Sequence, residues 1–132
     1  VAFHLEDHGL TVADIDATVE FYRRVLGMTR EIFGDGRTAL KFGGQKINLH
    51  QLGREFEPKA AHPTAGSADL CFLSDTPLNQ IIAELQEAGI TILEGPLPRT
   101  GATGPIESIY LRDPDDNLIE VSNYLESREP LR

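Results

Sequence analysis

The sequence predicts an α+β fold built from two tandem βαβββ modules. Two stretches share one plan, in which a strand-like run leads into a helical pattern that ends at glycine: "DHGLTVADIDATVEFYRRVLGM" and "ADLCFLSDTPLNQIIAELQEAGITI". Each stretch is followed by three further strand-like runs. A chain of 132 residues is the size of one typical domain, and half of it would struggle to bury a core alone. The internal repeat therefore indicates two modules in a single domain.

The first module is predicted to begin with a strand at about residues 5–12. Asp14 is a plausible N-cap of the following helix, and Gly27 fits the position just past the helix end. Apolar residues recur at helical spacing between them: Ile15, Val19, Tyr22 and Leu26. Three strands are predicted to complete the module, at about residues 28–33, 37–42 and 45–52.

The second module repeats this order, beginning with a strand at about residues 68–73. Thr76 and Pro77 have the pairing of an N-cap and a first helical turn, and Gly89 stops the helix. The apolar stripe of this helix consists of Leu78, Ile81, Ile82 and Leu85. Predicted strands follow at about residues 90–94, 108–112 and 117–124.

Two segments separate these elements. The predicted single domain, residues 1–132, divides into module one at about 4–53, a connector at about 54–66 and module two at about 67–125. The stretch "EGPLPRTGATGP" is predicted to be a long flexible loop. Such loops inside compact domains are often lids or binding elements, although an ordered connector is an equal alternative.

Composition and charge narrow the classes of function. The formal net charge is −9, and no basic cluster is present to bind nucleic acid or an anionic membrane. The excess of acidic residues fits a charged surface that keeps the protein in solution, or one that attracts cations. Cys71 is the only cysteine and lies in the apolar run "LCFL", which predicts a buried thiol in a reducing compartment. Because no membrane-length apolar run or signal-peptide pattern occurs, we expect a cytoplasmic location.

Several motifs resemble the vicinal oxygen chelate superfamily, which includes glyoxalases, bleomycin-resistance proteins and extradiol dioxygenases. The resemblance lies in "DHGLTVADIDATVEFYRRVLGM" and "SIYLRDPDDNLIEVSNY" and covers nearly the whole chain. The stretches "FGGQKINLHQLGREFEPKAAHPTAGSADLCF" and "EGPLPRTGATGPIESIYLRDP" are more narrowly similar to glyoxalase domain-containing protein five. They are also similar to bacterial biphenyl-2,3-diol 1,2-dioxygenase III-related proteins.

This resemblance implies one divalent metal ion in a cup formed by two modules, with ligands on the first and last strand of each module. The positions that match are His8, His50, Asp69 and Glu120. Asp69 is placed by alignment, because it precedes Asp75 by six residues (75 − 69) as His8 precedes Asp14 (14 − 8). Imidazole and carboxylate ligands favour Fe, Mn, Co, Ni or Zn over magnesium.

The set departs from the family at Asp69. A glyoxalase I site would have the order His-Glu-His-Glu, and the dioxygenases and fosfomycin enzymes place a histidine where Asp69 stands. Asp69 is therefore open to three roles: a metal ligand, a base beside the metal, or a partner of a ligand. Glu120 and Tyr110 are the other catalytic candidates, with a packed strand tyrosine as the alternative for Tyr110. Arg99 and His62 are candidates for substrate binding. The alternative for Arg99 is a solvated loop arginine, and the alternative for His62 is a structural turn residue.

The leading hypothesis is a glyoxalase-like, metal-dependent enzyme that chelates vicinal oxygens of a small molecule and stabilises an enolate. One alternative is an Fe(II) extradiol dioxygenase acting on a catechol or biphenyl-diol. Another is a drug- or metabolite-binding protein like those that confer bleomycin resistance. A small-molecule substrate and a homodimer are expected, with each cup built within one chain or across two.

Overall fold

A computed structural model of the chain describes residues 2–126, which form two compact units. The first unit comprises residues 2–68 with 114–116, and the second comprises residues 69–113 with 117–126. Each unit contains one helix and one four-stranded sheet. None of the helices in the part of the chain that the structure describes is long and apolar enough to cross a membrane.

The first unit follows the predicted order closely. Its elements are β1 (Asp7–Val12), α1 (Ile15–Leu26), β2 (Thr29–Phe33), β3 (Arg37–Phe42) and β4 (Gln45–Gln51). The sheet order is β1-β4-β3-β2, with β1 parallel to β4 and the other neighbours antiparallel. The parallel pair is possible because α1 carries the chain across the sheet before it returns.

The second unit repeats this connectivity. Its elements are β5 (Asp69–Leu73), α2 (Leu78–Glu87), β6 (Glu94–Gly101), β7 (Gly104–Arg112) and β8 (Leu118–Tyr124). The sheet order is β5-β8-β7-β6, and β5 is again parallel to β8. The prediction of an α+β fold with two βαβββ modules is confirmed.

Helix α1 has both of the ends that the sequence predicts. The Asp14 carboxylate accepts a hydrogen bond from Ala17 N at 3.1 Å, which satisfies one of the free N–H groups of the first turn. Gly27 ends the helix with a φ of 69°, a left-handed conformation that residues other than glycine rarely adopt. The apolar side of the helix buries Val19 and Tyr22.

Helix α2 begins differently from the prediction, at Leu78 rather than behind a Thr76 cap. The residue at the N-cap position is Pro77, and it makes no side-chain hydrogen bond to the helix. Instead Asn123 in β8 accepts a hydrogen bond from Leu78 N at 2.7 Å. Its amide also donates to the carbonyl groups of Ser74 and Thr76, at 2.9 Å each. A residue 45 positions away along the chain therefore supplies the cap, which local sequence could not indicate.

The predicted long loop at residues 94–105 is instead most of a β-hairpin. Strand β6 starts at Glu94, so the predicted strand at residues 90–94 is wrong except for its last residue. Pro96 and Pro98 made this segment resemble a loop, but β6 is the edge strand of its sheet. Proline is tolerated there because one side of an edge strand needs no ladder hydrogen bonds. The pairing with β7 shifts register between Glu94 and Leu97, as at a β-bulge.

Candidate functional site

In the second unit, Glu120 lies at the centre of a polar sheet face. It is directly opposite Cys71 on β5 and Tyr110 on β7. Because side chains alternate between the two faces of a strand, the same face carries residues two positions further along each strand. We call this surface the Glu120 face and define it as Asp69, Cys71, Ser108, Tyr110, Glu120 and Ser122. The opposite face is apolar and includes the buried Ile109, Leu111, Ile119 and Val121.

The Glu120 carboxylate lies beside two serine hydroxyls and accepts a short hydrogen bond from one of them. Ser108 Oγ donates to Glu120 Oε2 at 2.6 Å, and Ser122 Oγ lies 3.4 Å from the same oxygen. The two hydroxyl oxygens are 2.6 Å apart, and both serines are fully buried. The Cys71 thiol also interacts with the Glu120 carboxylate. The short contact with Ser108 therefore orients the carboxylate through Oε2.

A cation lies on the same side of this sheet. Arg99 of β6 donates from Nε to Tyr110 Oη at 3.0 Å, and its guanidinium carbon is 5.5 Å from the centre of the tyrosine ring. This hydrogen bond is the main cause of the raised pKa of Arg99. Arg99 is thus an exposed residue of a strand, and not of a loop, and its side chain contacts Tyr110.

Gly95 allows β6 to pass close to Ser108. A Cβ atom at this position would lie 2.4 Å from the Ser108 carbonyl oxygen and 3.0 Å from Ile109 Cα, both backbone atoms. The φ of Gly95 is 107°, which also disfavours any other residue. The glycine therefore keeps the edge strand against the part of β7 that supports Glu120.

Cys71 is exposed, so the prediction of a buried thiol is wrong. The run "LCFL" is apolar, but alternation on the edge strand β5 places Cys71 beside Asp69 on the Glu120 face. Its sulfur lies 3.4 Å from Ser122 Oγ. Partial desolvation of the sulfur is the main cause of the raised pKa of Cys71. The hydrogen bond with Ser122 acts against this rise, whereas Glu120 and the negative charge of Asp69 add to it.

This environment predicts an unreactive thiol. A raised pKa leaves less thiolate at neutral pH than in free cysteine, and the thiolate is the nucleophile. In metal-stripped protein at pH 7.5, we expect iodoacetamide to modify Cys71 more slowly than free cysteine. Replacing Glu120 with Gln should speed the reaction, because one of the charges that raise the pKa is removed. Glu107→Gln, a change on the other face of β7, should leave the rate unchanged. Mass spectrometry of the alkylated protein measures all three rates, and modification faster than that of free cysteine would contradict this account.

In the first unit, His50 lies on a second polar sheet face. It pairs with Thr11 in β1 and shares its face with Asn48 and Gly9. A Cβ atom at Gly9 would be 3.8 Å from His50 Nε2, so the imidazole lies over the glycine. His50 Nδ1 and Asn48 Oδ1 are buried atoms that find no hydrogen-bond partner among the residues described. A buried polar atom without a partner is costly, so these two atoms are candidates for ligand contacts.

The structure does not bring His8 and His50 together. His8 is opposite Ile47 in the sheet, on the face that carries the buried residues Leu10 and Leu49. His50 occupies the next position along β4 from Leu49 and points to the other face. Asp7, at the beginning of β1, lies on the same face of the sheet as His50.

Two further residues lie between β4 and β5. His62 is exposed, and its carbonyl oxygen accepts a hydrogen bond from Thr64 Oγ1 at 3.1 Å. Glu55 accepts a hydrogen bond from Gly53 N at 2.8 Å, the main cause of its lowered pKa. The proximity of His50 also contributes to that lowering.

Comparison with known proteins identifies the family. Residues 3–121 match the model of the Glyoxalase/Bleomycin resistance protein/Dioxygenase superfamily. The chain belongs to this superfamily. The match confirms the resemblance found in the sequence motifs, and the two βαβββ units are the fold of a glyoxalase superfamily member.

Three relatives are similar over most of the chain. Virulence protein STM3117 of Salmonella typhimurium is 60% identical over 116 residues, covering 88% of this chain and 81% of that protein. Its crystal structure matches with a TM-score of 0.93, over 95% of this chain and 99% of the other. Glyoxalase domain-containing protein RDO1 of Mycosarcoma maydis is 56% identical over 119 residues, or 90% and 67% of the two chains. Metallothiol transferase FosB of Shouchella clausii is 29% identical over 112 residues, or 84% and 73%.

Superfamily members typically use a divalent metal, and two residues of this chain fit such an ion as donors. His50 has a buried ring nitrogen without a partner, and Glu120 has a carboxylate held through one oxygen. Metal-binding carboxylates are commonly held in this way by hydrogen bonds from neighbouring groups. Within residues 2–126, however, no three His, Cys, Asp or Glu side chains gather closely enough to hold an ion. The fit therefore rests on His50 and Glu120, each within its own unit.

Sequence reasoning missed Ser108 and Ser122. Serines are common in strands, and nothing in their immediate neighbours marks them. Their spacing was the available signal, because Ser108 is two positions from Tyr110 and Ser122 is two positions from Glu120. Alternation alone places all four on one face once β7 and β8 are paired.

Proposed function

We propose that this protein is a metal-dependent enzyme of the glyoxalase-like type that acts on a small molecule with vicinal oxygens. The observation that carries the proposal is the Glu120 carboxylate, fixed by a 2.6 Å hydrogen bond from the buried Ser108 on an otherwise accessible polar face. The relative FosB is named a metallothiol transferase, which is consistent with metal chemistry on this fold.

In this proposal, His50 and Glu120 are each a candidate metal donor, considered within its own unit. The metal, when bound, supplies a Lewis acid for a substrate oxygen. Imidazole and carboxylate donors suit Fe, Mn, Co, Ni or Zn, as the sequence also indicates. The family resemblance also implies His8 as a ligand, but His8 lies on the opposite face of the sheet from His50. His8 is therefore left out of the proposed donors and is the natural comparison for testing His50.

Asp69 is proposed to move the proton. It shares the Glu120 face, and its charge is felt at Cys71, the residue opposite Glu120. Its side chain is exposed, so a substrate can reach the carboxylate oxygens. Removal of a proton next to a polarised carbonyl by Asp69 leaves Glu120 free to remain a ligand throughout turnover.

Arg99 and Tyr110 are proposed to bind the substrate. Together they present a guanidinium group and an aromatic ring on the Glu120 face. Two of the guanidinium nitrogens already contact Tyr110 Oη and the Pro98 carbonyl, which fixes the direction of the group. This arrangement favours a substrate with a carboxylate or another small anion. His62 is proposed only as an additional polar contact.

The test is proton exchange in deuterated water. Metal-loaded protein should exchange the carbon-bound protons of an α-hydroxyketone such as dihydroxyacetone, as measured by proton NMR. Metal-stripped protein should not. Oxygen uptake with catechol by the iron-loaded protein, without proton exchange, would replace this proposal by the dioxygenase alternative. Saturable binding of such probes without exchange or oxygen uptake would favour a binding protein.

A homodimer is also proposed, as the superfamily resemblance implies. Strand β5 is at the edge of its sheet and exposes Leu73, and an exposed strand edge is a surface that a second chain can cover. Light scattering of the full-length chain should give twice the monomer mass. A single monomeric species at micromolar concentration would contradict this expectation.

A further inference from the structure

We infer that Ser108 and Ser122 are positioning residues for Glu120, and that they act through a hydrogen-bond chain with a single direction. The chain runs from the Cys71 thiol through the two serine hydroxyls to Glu120 Oε2. The effect of this chain on metal binding rests on the proposed function, whereas the existence of the chain does not.

The direction follows from counting protons. An ionised carboxylate can only accept hydrogen bonds, so the single Ser108 proton points to Glu120 Oε2 across 2.6 Å. The 2.6 Å contact between the serine oxygens then needs the Ser122 proton, because Ser108 has none left. With that proton used, a hydrogen bond across the 3.4 Å contact between Cys71 and Ser122 has the thiol as its donor. The thiol also interacts with Glu120 itself. Each serine therefore has one donor role and one acceptor role, and the chain ends at the negative charge.

Burial makes the chain rigid. Ser108 and Ser122 are both 0% exposed, so water cannot replace either hydroxyl as a partner. A rotation of either one would leave a buried polar atom without a hydrogen bond, which is unfavourable. Successive hydrogen bonds that point toward a charge also polarise and strengthen each other. The chain thus fixes the Glu120 rotamer through Oε2.

A directed chain predicts a graded response to substitution. For cobalt(II) binding, followed by its visible absorption, Ser108→Ala should weaken affinity by about 10- to 100-fold, as loss of a supporting hydrogen bond typically does. Ser122→Ala should weaken it less, and Cys71→Ala least. Ser108→Thr keeps the hydroxyl and should restore most of the affinity. Ser74→Ala is the matched control, since the hydroxyl of this serine in the same unit accepts from Thr76 N and has no contact with Glu120 among the described residues.

A second measurement does not depend on metal. In the full-length protein, the hydroxyl protons of Ser108 and Ser122 should exchange slowly enough with water to be seen by proton NMR, with the Ser108 signal shifted downfield. Both signals should move or disappear in Glu120→Gln, because the amide can reverse the direction of donation.

The outcomes separate this inference from the proposed function. The order Ser108→Ala, Ser122→Ala, Cys71→Ala, with rescue by Ser108→Thr, supports a directed chain. Equal losses for the two serine variants, without rescue, would indicate packing alone and overturn it. If the wild-type protein binds no cobalt, the proposed function fails and the NMR signals decide the inference. Signals that respond to Glu120→Gln support the chain, and signals that are absent or unaffected overturn it.

Discussion

Replacing Asp69 with Asn is expected to lower kcat by about 10²–10⁴-fold, the range that a positioned acid–base group contributes. The change removes the carboxylate that takes the proton but preserves size and leaves Glu120 and His50 in place. Metal content should therefore be unchanged. Stopped-flow or NMR measurement of proton exchange in the metal-loaded variant, together with elemental analysis, gives both quantities.

Glu107→Gln is the control for this change, since Glu107 occupies the other face of β7 and should tolerate the substitution without loss of rate. Two outcomes would require a different role for Asp69. A rate equal to that of the wild type would show that it is not the base. Loss of both the metal and the rate would make Asp69 a metal ligand, which is one of the three roles that the family resemblance allows.

Asn123→Ala is expected to lower the free energy of unfolding by about 2–3 kcal/mol, because it removes a helix cap and leaves two carbonyl groups without donors. These are the bonds that join Asn123 to the beginning of α2. Urea denaturation measures the change. Asn79→Ala is the matched control, because the exposed Asn79 bonds only its neighbour Gln80 N and should cost far less.

Asn123→Asp separates the two contributions. The carboxylate still accepts from Leu78 N, but it can no longer donate to Ser74 and Thr76. An intermediate loss of stability is expected. If Asn123→Ala costs no more than Asn79→Ala, the long-range cap does not stabilise α2.

The repeat and the first unit could be predicted well, because their signals are local. Asp14 and Gly27 act on the helix that they flank, and a glycine with φ of 69° ends α1 where the spacing of apolar residues stops. The strands that follow also keep their predicted places, since each is bounded by a turn in sequence. The fold class rests on these features, and the family match confirms it.

The second unit could be predicted less well because its decisive contacts are between distant residues. The cap of α2 comes from Asn123, and the proline-rich β6 is a strand only because β7 lies beside it at the sheet edge. Similarly, Cys71 lies within an apolar run, which predicts burial, but the pairing of β5 with β8 determines which face of the sheet it occupies. These are effects of tertiary pairing that a pattern along one strand does not contain.

Part of the candidate site was predictable from alternation and part was not. Asp69, Tyr110 and Glu120 do share one face, and Arg99 contacts Tyr110. His8 and His50 illustrate the limit, because only the register of β1 against β4 reveals that these two side chains face opposite ways. A register slip of one residue would reverse this result.

The most direct test of the account is the metal content of single variants expressed and purified identically, measured by elemental analysis after loading with one divalent transition metal. We expect the wild type and His8→Ala to retain the metal, and His50→Ala and Glu120→Gln to lose it. Full retention of metal by both His50→Ala and Glu120→Gln would contradict the proposal that these residues are the ligands of a metal-dependent enzyme.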